Sequence, residues 1–164
     1  MSQLSISKLG PESELLLRNL FEHYLYDMSE FFEVDTEPDG SYSWDTSKYW
    51  ARADHVYLAK AGASIAGFAI VGSAEEWLGD IGAHDVHEFF VLRKFRRSGA
   101  GRELAEHIWK QHHPGDWLVR VFEGNRPALP FWRAAIAAYT NGAYQEEPRL
   151  INGRDWRFFR FGPT

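Results

Sequence analysis

The densest cluster of charge in the sequence lies at positions 93–102, where five of ten residues are basic although the whole chain has a formal net charge of −5. Gly99 and Gly101 lie within this cluster, directly before a segment whose apolar residues repeat at helical spacing. Cations are unfavourable at a helix start, by about 0.3–1 kcal/mol each, because the unpaired backbone N–H groups there carry a partial positive charge. Glycines let those N–H groups approach a ligand closely. The segment therefore predicts a site for a small anion such as a phosphate or pyrophosphate.

Two groups suited to acid–base chemistry precede this cluster, at the beginning of the strand-like run VHEFFVL. The apolar neighbours Phe89 and Phe90 can raise the pKa of the Glu88 carboxyl toward neutrality, which would make it a general base. His87 has the more suitable ordinary pKa and is the second candidate. Neighbouring strand residues face opposite ways, so only one of the two is expected to face a cleft. A purely structural pairing of Glu88 with a nearby arginine is the competing interpretation.

The residues present exclude several classes of site. A Walker phosphate loop needs Gly-Lys-Ser or Gly-Lys-Thr, which occurs nowhere in the chain. A dinucleotide-binding fingerprint needs a third glycine at the position that Leu104 occupies. The chain has no cysteine, which excludes disulfides, thiolate metal sites and a cysteine nucleophile, and no metal site is predicted. Because the net charge is negative, nucleic acid is not an expected partner.

The elements that position these groups follow from apolar spacing. In the first half, a repeat every three to four residues predicts an amphipathic helix over 11–28, started by Pro11, and a short helix is predicted in DTSKYW. Two apolar runs on either side of Gly62 predict an antiparallel hairpin. Its predicted core residues are Val56, Tyr57, Ile65, Phe68, Ile70 and Val71.

The second half alternates strands and helices. A strand over 86–92 leads into a helix over 102–109, and a further strand over 116–124 leads into a helix over 126–139. Asn125 is the expected cap of the last helix, with Pro130 expected to kink or delay its start. A final antiparallel pair is joined through Asn152-Gly153. The order predicts an α/β or α+β fold, with helices packed on a mixed sheet in one domain over 1–164.

Two motifs resemble those of the GNAT acetyltransferase superfamily. The first is similar to the superfamily's acetyl-CoA pyrophosphate loop, whose pattern is Gln or Arg, two residues, Gly, any residue, and Gly or Ala. In this chain the loop comprises Arg96, Arg97, Ser98, Gly99, Ala100 and Gly101, and Arg102 follows it. By resemblance, the preceding strand holds the pantetheine arm through Phe89, Phe90 and Val91. The second resembles the superfamily's other cofactor motif through Asn125, Ala128, Phe131 and Trp132. The likeness covers about residues 12–161 in element order and 86–139 in motifs.

This resemblance implies a mixed, mostly antiparallel sheet with splayed parallel central strands and flanking helices. It also implies acetyl-CoA as cofactor and direct transfer of the acetyl group to a small amine in a ternary complex, with a strand amide near Val91 polarising the carbonyl. Many members carry a tyrosine where this chain has Trp132, and an indole N–H is not a usable acid. Tyr139 is about 10 Å further along the helix, so the thiolate leaves unaided or takes a proton from water or a group such as Tyr144.

The acceptor is less constrained. Residues 27–39 contain six carboxylates and no Lys or Arg, which would attract a cationic amine, although a solvated acidic loop is equally compatible. Aromatic residues in and around this segment could contact a cation, or could simply be core: Tyr24, Tyr26, Phe31, Phe32, Tyr42 and Trp44. A non-catalytic acyl-CoA sensor and a protein interaction domain are the alternative functions. No membrane segment is predicted, a cytoplasmic location is expected, and a homodimer is left open.

Overall fold

The computed structural model describes residues 4–163. Seven strands form a single sheet: β1 Ser5–Leu9, β2 His55–Ala61, β3 Ser64–Ser73, β4 His84–Val91, β5 Trp117–Phe122, β6 Gln145–Ile151 and β7 Arg154–Phe161. The strand order is β1-β2-β3-β4-β5-β7-β6, and every neighbouring pair is antiparallel except β4 and β5. The helices are α1 Glu14–Met28, α2 Ser47–Ala51, α3 Glu75–Leu78, α4 Ala100–Gln111 and α5 Ala128–Thr140. The predicted fold class is confirmed.

The helices bury the two faces of the sheet separately. One face packs against α1, whose Leu17 and Phe21 meet Phe68 and Ile70 of β3. The other face packs against α4 and α5 in a core that holds the fully buried Trp109. Of the six predicted core residues of the hairpin, five are buried, and Ile65 is half-buried near the turn. No helix among residues 4–163 has the length and apolar character needed to cross a membrane.

The parallel pair β4 and β5 lies in the centre of the sheet and separates almost at once. Only His84 with Trp117 and Asp85 with Leu118 are paired, although both strands continue beyond these residues. The implied splay of the central strands is therefore confirmed. It leaves a slot in the sheet that begins at Asp85 and widens toward Val91.

Two short elements were not predicted and one predicted helix cap is wrong. The unpredicted elements are β1, a short edge strand with little apolar content, and α3, a single turn that ends at Gly79 in the left-handed conformation. Asn125 does not cap α5, because that helix begins at Ala128 and has no side-chain cap. The expected effect of Pro130 is confirmed, because α5 begins at Ala128 instead of at 126. This later start places Pro130 in the first turn, where its missing N–H costs nothing.

Three histidine rings pack together at the end of the sheet where β2 and β4 begin. The His112 ring lies 4.6 Å from that of His55 and 4.8 Å from that of His84, and the Tyr57 hydroxyl is 2.9 Å from His112 Nε2. Burial, with the positive charge that each neighbouring histidine can carry, lowers the pKa of His112 to about 4. The folded protein therefore holds His112 neutral at a pH at which the unfolded chain would protonate it.

We expect this cluster to lower stability in mild acid. Because the folded pKa lies below the ordinary 6.5, stability is full above pH 6.5 and falls as the pH drops toward about 4. For this partly exposed ring the loss between pH 7 and 5 is about 1 kcal/mol after solvent screening. Urea unfolding at the two pH values should show a smaller loss in His112→Gln than in the wild type. His23→Gln, at an exposed position on α1, is the control, and equal losses in all three proteins would contradict the prediction.

Candidate active site

A cleft of about 1080 Å³ opens at the slot between β4 and β5. Its walls are these two strands, the end of α1 with the segment after it, the loop before α4, and the first turns of α5. Most of the predicted site residues line it: His87, Glu88, Phe89, Phe90, Val91, Arg96, Arg97, Gly99, Gly101, Arg102, Asn125, Ala128, Phe131 and Trp132. Ser98 and Ala100 belong to the same loop but do not line the cleft.

The edge of β4 along the slot offers unpaired backbone groups. The Leu92 N–H donates to the Ala66 carbonyl on the β3 side at 2.9 Å. Because backbone groups of an antiparallel strand alternate in direction, the N–H groups of Phe89 and Val91 point the other way, into the slot. The Val91 carbonyl accepts a hydrogen bond from Arg96 Nε at 2.8 Å, which agrees with this direction. The slot therefore has a row of N–H donors on its β4 side.

The loop before α4 has the backbone geometry of an anion site. Gly99 immediately precedes the helix with a φ of +93°, and an added Cβ would meet open space. An added Cβ on Gly101 would instead lie 3.1 Å from the Phe131 ring. Backbone conformation therefore favours glycine at position 99, and close packing favours it at position 101. Ser98 Oγ donates to the Phe95 carbonyl at 2.6 Å and fixes the turn. The first-turn N–H groups of α4 point back along the helix axis toward this loop, whose Gly99, Gly101 and Arg102 line the cleft.

Three of the four arginines in the basic segment that was predicted to bind an anion have protein partners instead. Arg96 and Arg93 both bind the buried Asp27 carboxylate, at 2.5 and 2.8 Å. Arg102 pairs with Glu106 one turn along α4 at 2.8 Å. Arg97 has no ion pair among residues 4–163 and lines the cleft. Asp27 lies in the last turn of α1, where an acidic side chain is as unfavourable as a basic one at a helix start. The ion pairs with Arg93 and Arg96 therefore stabilise a carboxylate and two guanidinium groups that are all unfavourably placed relative to their helices.

Glu88 is held by two tyrosines, neither of which the sequence analysis connected with it. The Tyr24 hydroxyl donates to Oε2 at 2.8 Å and the Tyr49 hydroxyl donates to Oε1 at 2.6 Å. Burial raises the pKa of Glu88, and the two hydrogen bonds only partly offset this effect. The predicted direction of the pKa shift is confirmed, whereas the pairing with an arginine is not found among the described residues.

The expectation that only one of His87 and Glu88 faces the cleft is wrong. The register between β3 and β4 shifts at this point, with Glu88 opposite Ile70 but Val86 opposite the next residue, Val71. His87 is the extra residue of a β-bulge, and a bulge breaks the alternation of side chains. Both residues line the cleft.

His87 lies between two carboxylates. Its Nδ1 is 3.4 Å from Asp54, its Nε2 is 3.4 Å from Asp85, and Nε2 also lies 3.2 Å from the Ser73 carbonyl. Burial lowers the pKa of His87, but the hydrogen bond to Asp54, the charge of Asp85 and the Ser73 carbonyl outweigh it, and the net shift is upward. A histidine that holds its proton more tightly is a poorer base at neutral pH. This environment favours Glu88 over His87 as the base.

A buried ion pair closes the narrow end of the slot. Asp85 is fully buried, and its Oδ2 accepts hydrogen bonds from Arg120 Nε at 3.0 Å and Nη2 at 2.6 Å. Asp85 Oδ1 has no hydrogen-bond partner among the described residues. The Arg120 guanidinium also lies 4.4 Å from the centre of the Trp77 ring. The pair joins β4 to β5 at the point where their pairing ends.

The structure also limits which side chains could donate a proton to a leaving thiolate in the cleft. Trp132 is buried against Phe89, with ring centres 4.8 Å apart. Tyr139 packs on Trp109 in the core, and Tyr144, which the sequence analysis named as one option, packs on Phe159. Neither of these tyrosines lines the cleft, whereas Tyr24 does.

No group of three or more His, Asp or Glu side chains with metal-binding geometry occurs in the described part of the chain. The acidic residues predicted for the acceptor side divide into two sets. Asp27, Glu30 and Glu33 line the cleft, whereas Asp35, Glu37 and Asp39 do not. Of the predicted aromatic residues, Tyr24, Phe31, Phe32 and Trp44 line it.

Comparison with known proteins gives a consistent result. The model of the Acetyltransferase (GNAT) family matches residues 19–136. One similar solved structure is a GNAT-family acetyltransferase from Streptococcus agalactiae, with 15% sequence identity, coverage of 98% of this chain and 96% of that chain, and a TM-score of 0.71. Another is a ribosomal-protein-alanine N-acetyltransferase from Brucella melitensis, with 14% sequence identity, coverage of 96% of this chain and 99% of that chain, and a TM-score of 0.68. A third is NAA60 of Arabidopsis thaliana in complex with acetyl-CoA, with 13% sequence identity, coverage of 97% of this chain and 98% of that chain, and a TM-score of 0.61. No curated protein matches the sequence.

Proposed function

The chain belongs to the GNAT acetyltransferase family, and on this premise we propose that it transfers the acetyl group of acetyl-CoA to a small amine by direct attack in a ternary complex. One observation carries the proposal: the splayed slot connects the glycine loop before α4 with Glu88 through a continuous unpaired edge of β4. The two ends of this slot would hold the two substrates. A single transfer step between them then needs no covalent enzyme intermediate, which fits a chain without cysteine.

The residues of the slot fit acetyl-CoA. The open space at Gly99, the first-turn N–H groups of α4 and the Arg97 guanidinium would hold the pyrophosphate. The N–H groups of Phe89 and Val91 would hold the pantetheine arm, and the Phe131 and Trp132 rings would cover it. Asn125 and Ala128, in the turn before α5 and at its start, would complete the same wall. Arg96, Ser98, Ala100 and Phe90 would shape the loop and strand, and Arg102 would add positive charge.

The reaction requires a neutral amine and a polarised carbonyl. Glu88 would accept the proton from the amine, because its raised pKa makes the carboxylate a stronger base than an exposed one. The amine nitrogen then bonds to the acetyl carbon, the carbon–sulfur bond breaks, and the electron pair leaves with the sulfur. The nitrogen gives up its remaining extra proton to water or to the departing thiolate, which leaves a neutral amide. A slot-facing amide of β4 near Val91 would stabilise the carbonyl oxygen. Tyr24 and Tyr49 would keep the Glu88 carboxylate in place, and a thiolate with an ordinary pKa near 8.5 can leave unaided.

A non-catalytic acyl-CoA sensor is the alternative that a specific observation favours. Trp132 occupies a position at which an indole cannot supply a proton, and no other tyrosine of the described residues lines the cleft besides Tyr24. A sensor would bind acetyl-CoA without turnover. Release of free thiol in the presence of amines therefore separates the two functions once binding has been established.

We expect acetyl-CoA to raise the melting temperature of the protein, whereas ATP and NAD do not. A ligand that binds only the native state stabilises it by about 2.7 kcal/mol at a hundredfold excess over Kd. Gly99→Glu should abolish the shift, because the side chain and its charge would fill the open space at the loop. Gly62→Glu is the matched control, since Gly62 also has a positive φ and open space but lies in the hairpin between β2 and β3. No shift at millimolar acetyl-CoA would overturn both the acetyltransferase and the sensor.

A further inference from the structure

Three aromatic rings form a continuous wall on the side of the cleft opposite Glu88. Phe32 follows α1, Phe122 ends β5 and Trp156 lies on β7. The ring centres are 4.7 Å apart for Phe32 and Phe122, 5.7 Å for Phe122 and Trp156, and 6.2 Å for Phe32 and Trp156. All three rings are half-buried and line the cleft. The wall therefore presents apolar area to whatever occupies this end of the slot.

The wall and Glu88 lie on the same face of the sheet, with Phe122 about 6 Å further along the slot than Glu88. The strands β4 and β5 run parallel from their last pair, Asp85 with Leu118. Because the bulge at His87 sets Asp85 to Glu88 opposite only Gly72 to Ile70 of β3, Glu88 lies two paired positions beyond that pair, whereas Phe122 lies four beyond it. At 3.3 Å per residue these distances are about 7 and 13 Å. Glu88 points to the α1 face, where it meets Tyr24, and Phe122 alternates with Val121, which is buried on the other face. An acceptor whose amine reaches Glu88 would thus have its remaining atoms next to the wall.

The charges around this end of the cleft favour a cation. The Asp27 charge is balanced by Arg93 and Arg96, but Glu30 and Glu33 line the cleft and form no salt bridge in the described part of the chain. Among the nearby cations, Arg120 is neutralised by Asp85. Arg154 is exposed, lines the cleft without a salt bridge among the described residues, and lies 5.5 Å from the centre of the Phe32 ring. The carboxylates of Glu30, Glu33 and Glu88 outnumber this one unpaired cation and would raise the local concentration of an ammonium ion.

We propose that the acceptor is an arylalkylamine, a primary amine joined by a short chain to a flat aromatic ring, and that Phe32, Phe122 and Trp156 determine this specificity. The inference rests on the proposed function and deepens it. The ring of the acceptor packs on the wall, where offset or edge-to-face contact with aromatic side chains is favourable. The amino group extends across the slot to Glu88. An amino acid with the same ring is disfavoured, because its carboxylate meets the charges of Glu30, Glu33 and Glu88.

The test is acetylation of matched amines, measured by release of free thiol from acetyl-CoA. We expect kcat/KM for 2-phenylethylamine and tryptamine to exceed that for n-butylamine, spermidine and phenylalanine by at least about 10-fold, the discrimination expected for added apolar contact in a pocket. In Phe32→Ala and Trp156→Ala, kcat/KM should fall about 10-fold for 2-phenylethylamine but less than 2-fold for n-butylamine. Leu150→Ala, which removes an exposed apolar side chain elsewhere, is the control.

The outcomes separate this inference from the proposed function. Acetylation of spermidine or n-butylamine as fast as 2-phenylethylamine would overturn the arylalkylamine specificity and leave the acetyltransferase proposal standing. Preference for phenylalanine would also overturn it and assign Arg154 to a carboxylate. An acetyl-CoA thermal shift without acetylation of any amine would overturn the proposed transfer and this inference together. Acetyl-CoA shifts in both alanine variants equal to that of the wild type would show that their lost activity does not come from misfolding.

Discussion

Replacement of Glu88 by glutamine is expected to lower kcat by about 10²–10⁴-fold, the usual contribution of a general base. Glutamine has almost the same shape, so the amide oxygen can still accept one tyrosine hydrogen bond, but it cannot take a proton from the amine. Because Glu88 lies on the acceptor side of the slot, the acetyl-CoA thermal shift should remain. The measurement is steady-state thiol release with the best amine, beside the thermal shift of the same preparation.

The pH dependence distinguishes a base from a residue that only positions others. The pKa of Glu88 is raised by burial, and its active form is the carboxylate, so kcat/KM of the wild type should fall as the pH drops through that raised pKa. The residual activity of Glu88→Gln should lack this limb. Glu147→Gln, on the exposed edge strand β6, should keep both the rate and the pH profile. A Glu88→Gln enzyme with more than a third of the wild-type kcat would assign the proton transfer to another group, and His87→Gln would then be the next variant.

The sequence predicted the fold well where one element carries its own pattern. The hairpin around Gly62 consists of two continuous apolar runs, and the helix that holds Leu104 and Ile108 repeats its apolar residues at helical spacing. Both patterns report local structure directly. The loop of Gly99 and Gly101 was found because its residues are contiguous and break the rule on charge at helix starts. By contrast, three of the five residues of the edge strand β1 are Ser or Lys and α3 is one turn long, so neither has enough apolar residues to show a period.

The site was predicted less completely because its contacts are distant in sequence. Glu88 binds tyrosines that are 64 and 39 residues away, and Asp27 binds an arginine 69 residues away. No spacing rule connects such positions in a single sequence. One signal was nevertheless present: Asp27 in the last turn of α1 violates the same electrostatic rule as the arginines before α4. The bulge at His87 left no comparable signal, since it is set by pairing with β3.

The substitution Asp85→Asn is expected to lower the free energy of unfolding by about 3–5 kcal/mol, the cost of breaking a buried ion pair by removing one partner. Asp85 is fully buried and burial raises its pKa, so the carboxylate is maintained against a desolvation cost by Arg120. Without that charge, the largely buried guanidinium has no counterion in the narrow end of the slot. Urea unfolding measures the loss, which is a large fraction of the 5–15 kcal/mol typical of a domain.

Two further variants test whether burial of the ion pair causes the large loss of stability in Asp85→Asn. Glu147→Gln breaks a pair with Arg149 of similar length, 2.7 Å against 2.6 Å, but with side chains 40% and 48% exposed, so the expected cost is about 0–1 kcal/mol. Asp85→Leu combined with Arg120→Met should regain most of the stability, because apolar side chains can replace a buried pair. Asp85→Asn should also lower the pKa of His87, since the Asp85 charge helps to raise it. If Asp85→Asn lies within 1 kcal/mol of the wild type, the last paired residues of β4 and β5 hold the narrow end of the slot together without this ion pair.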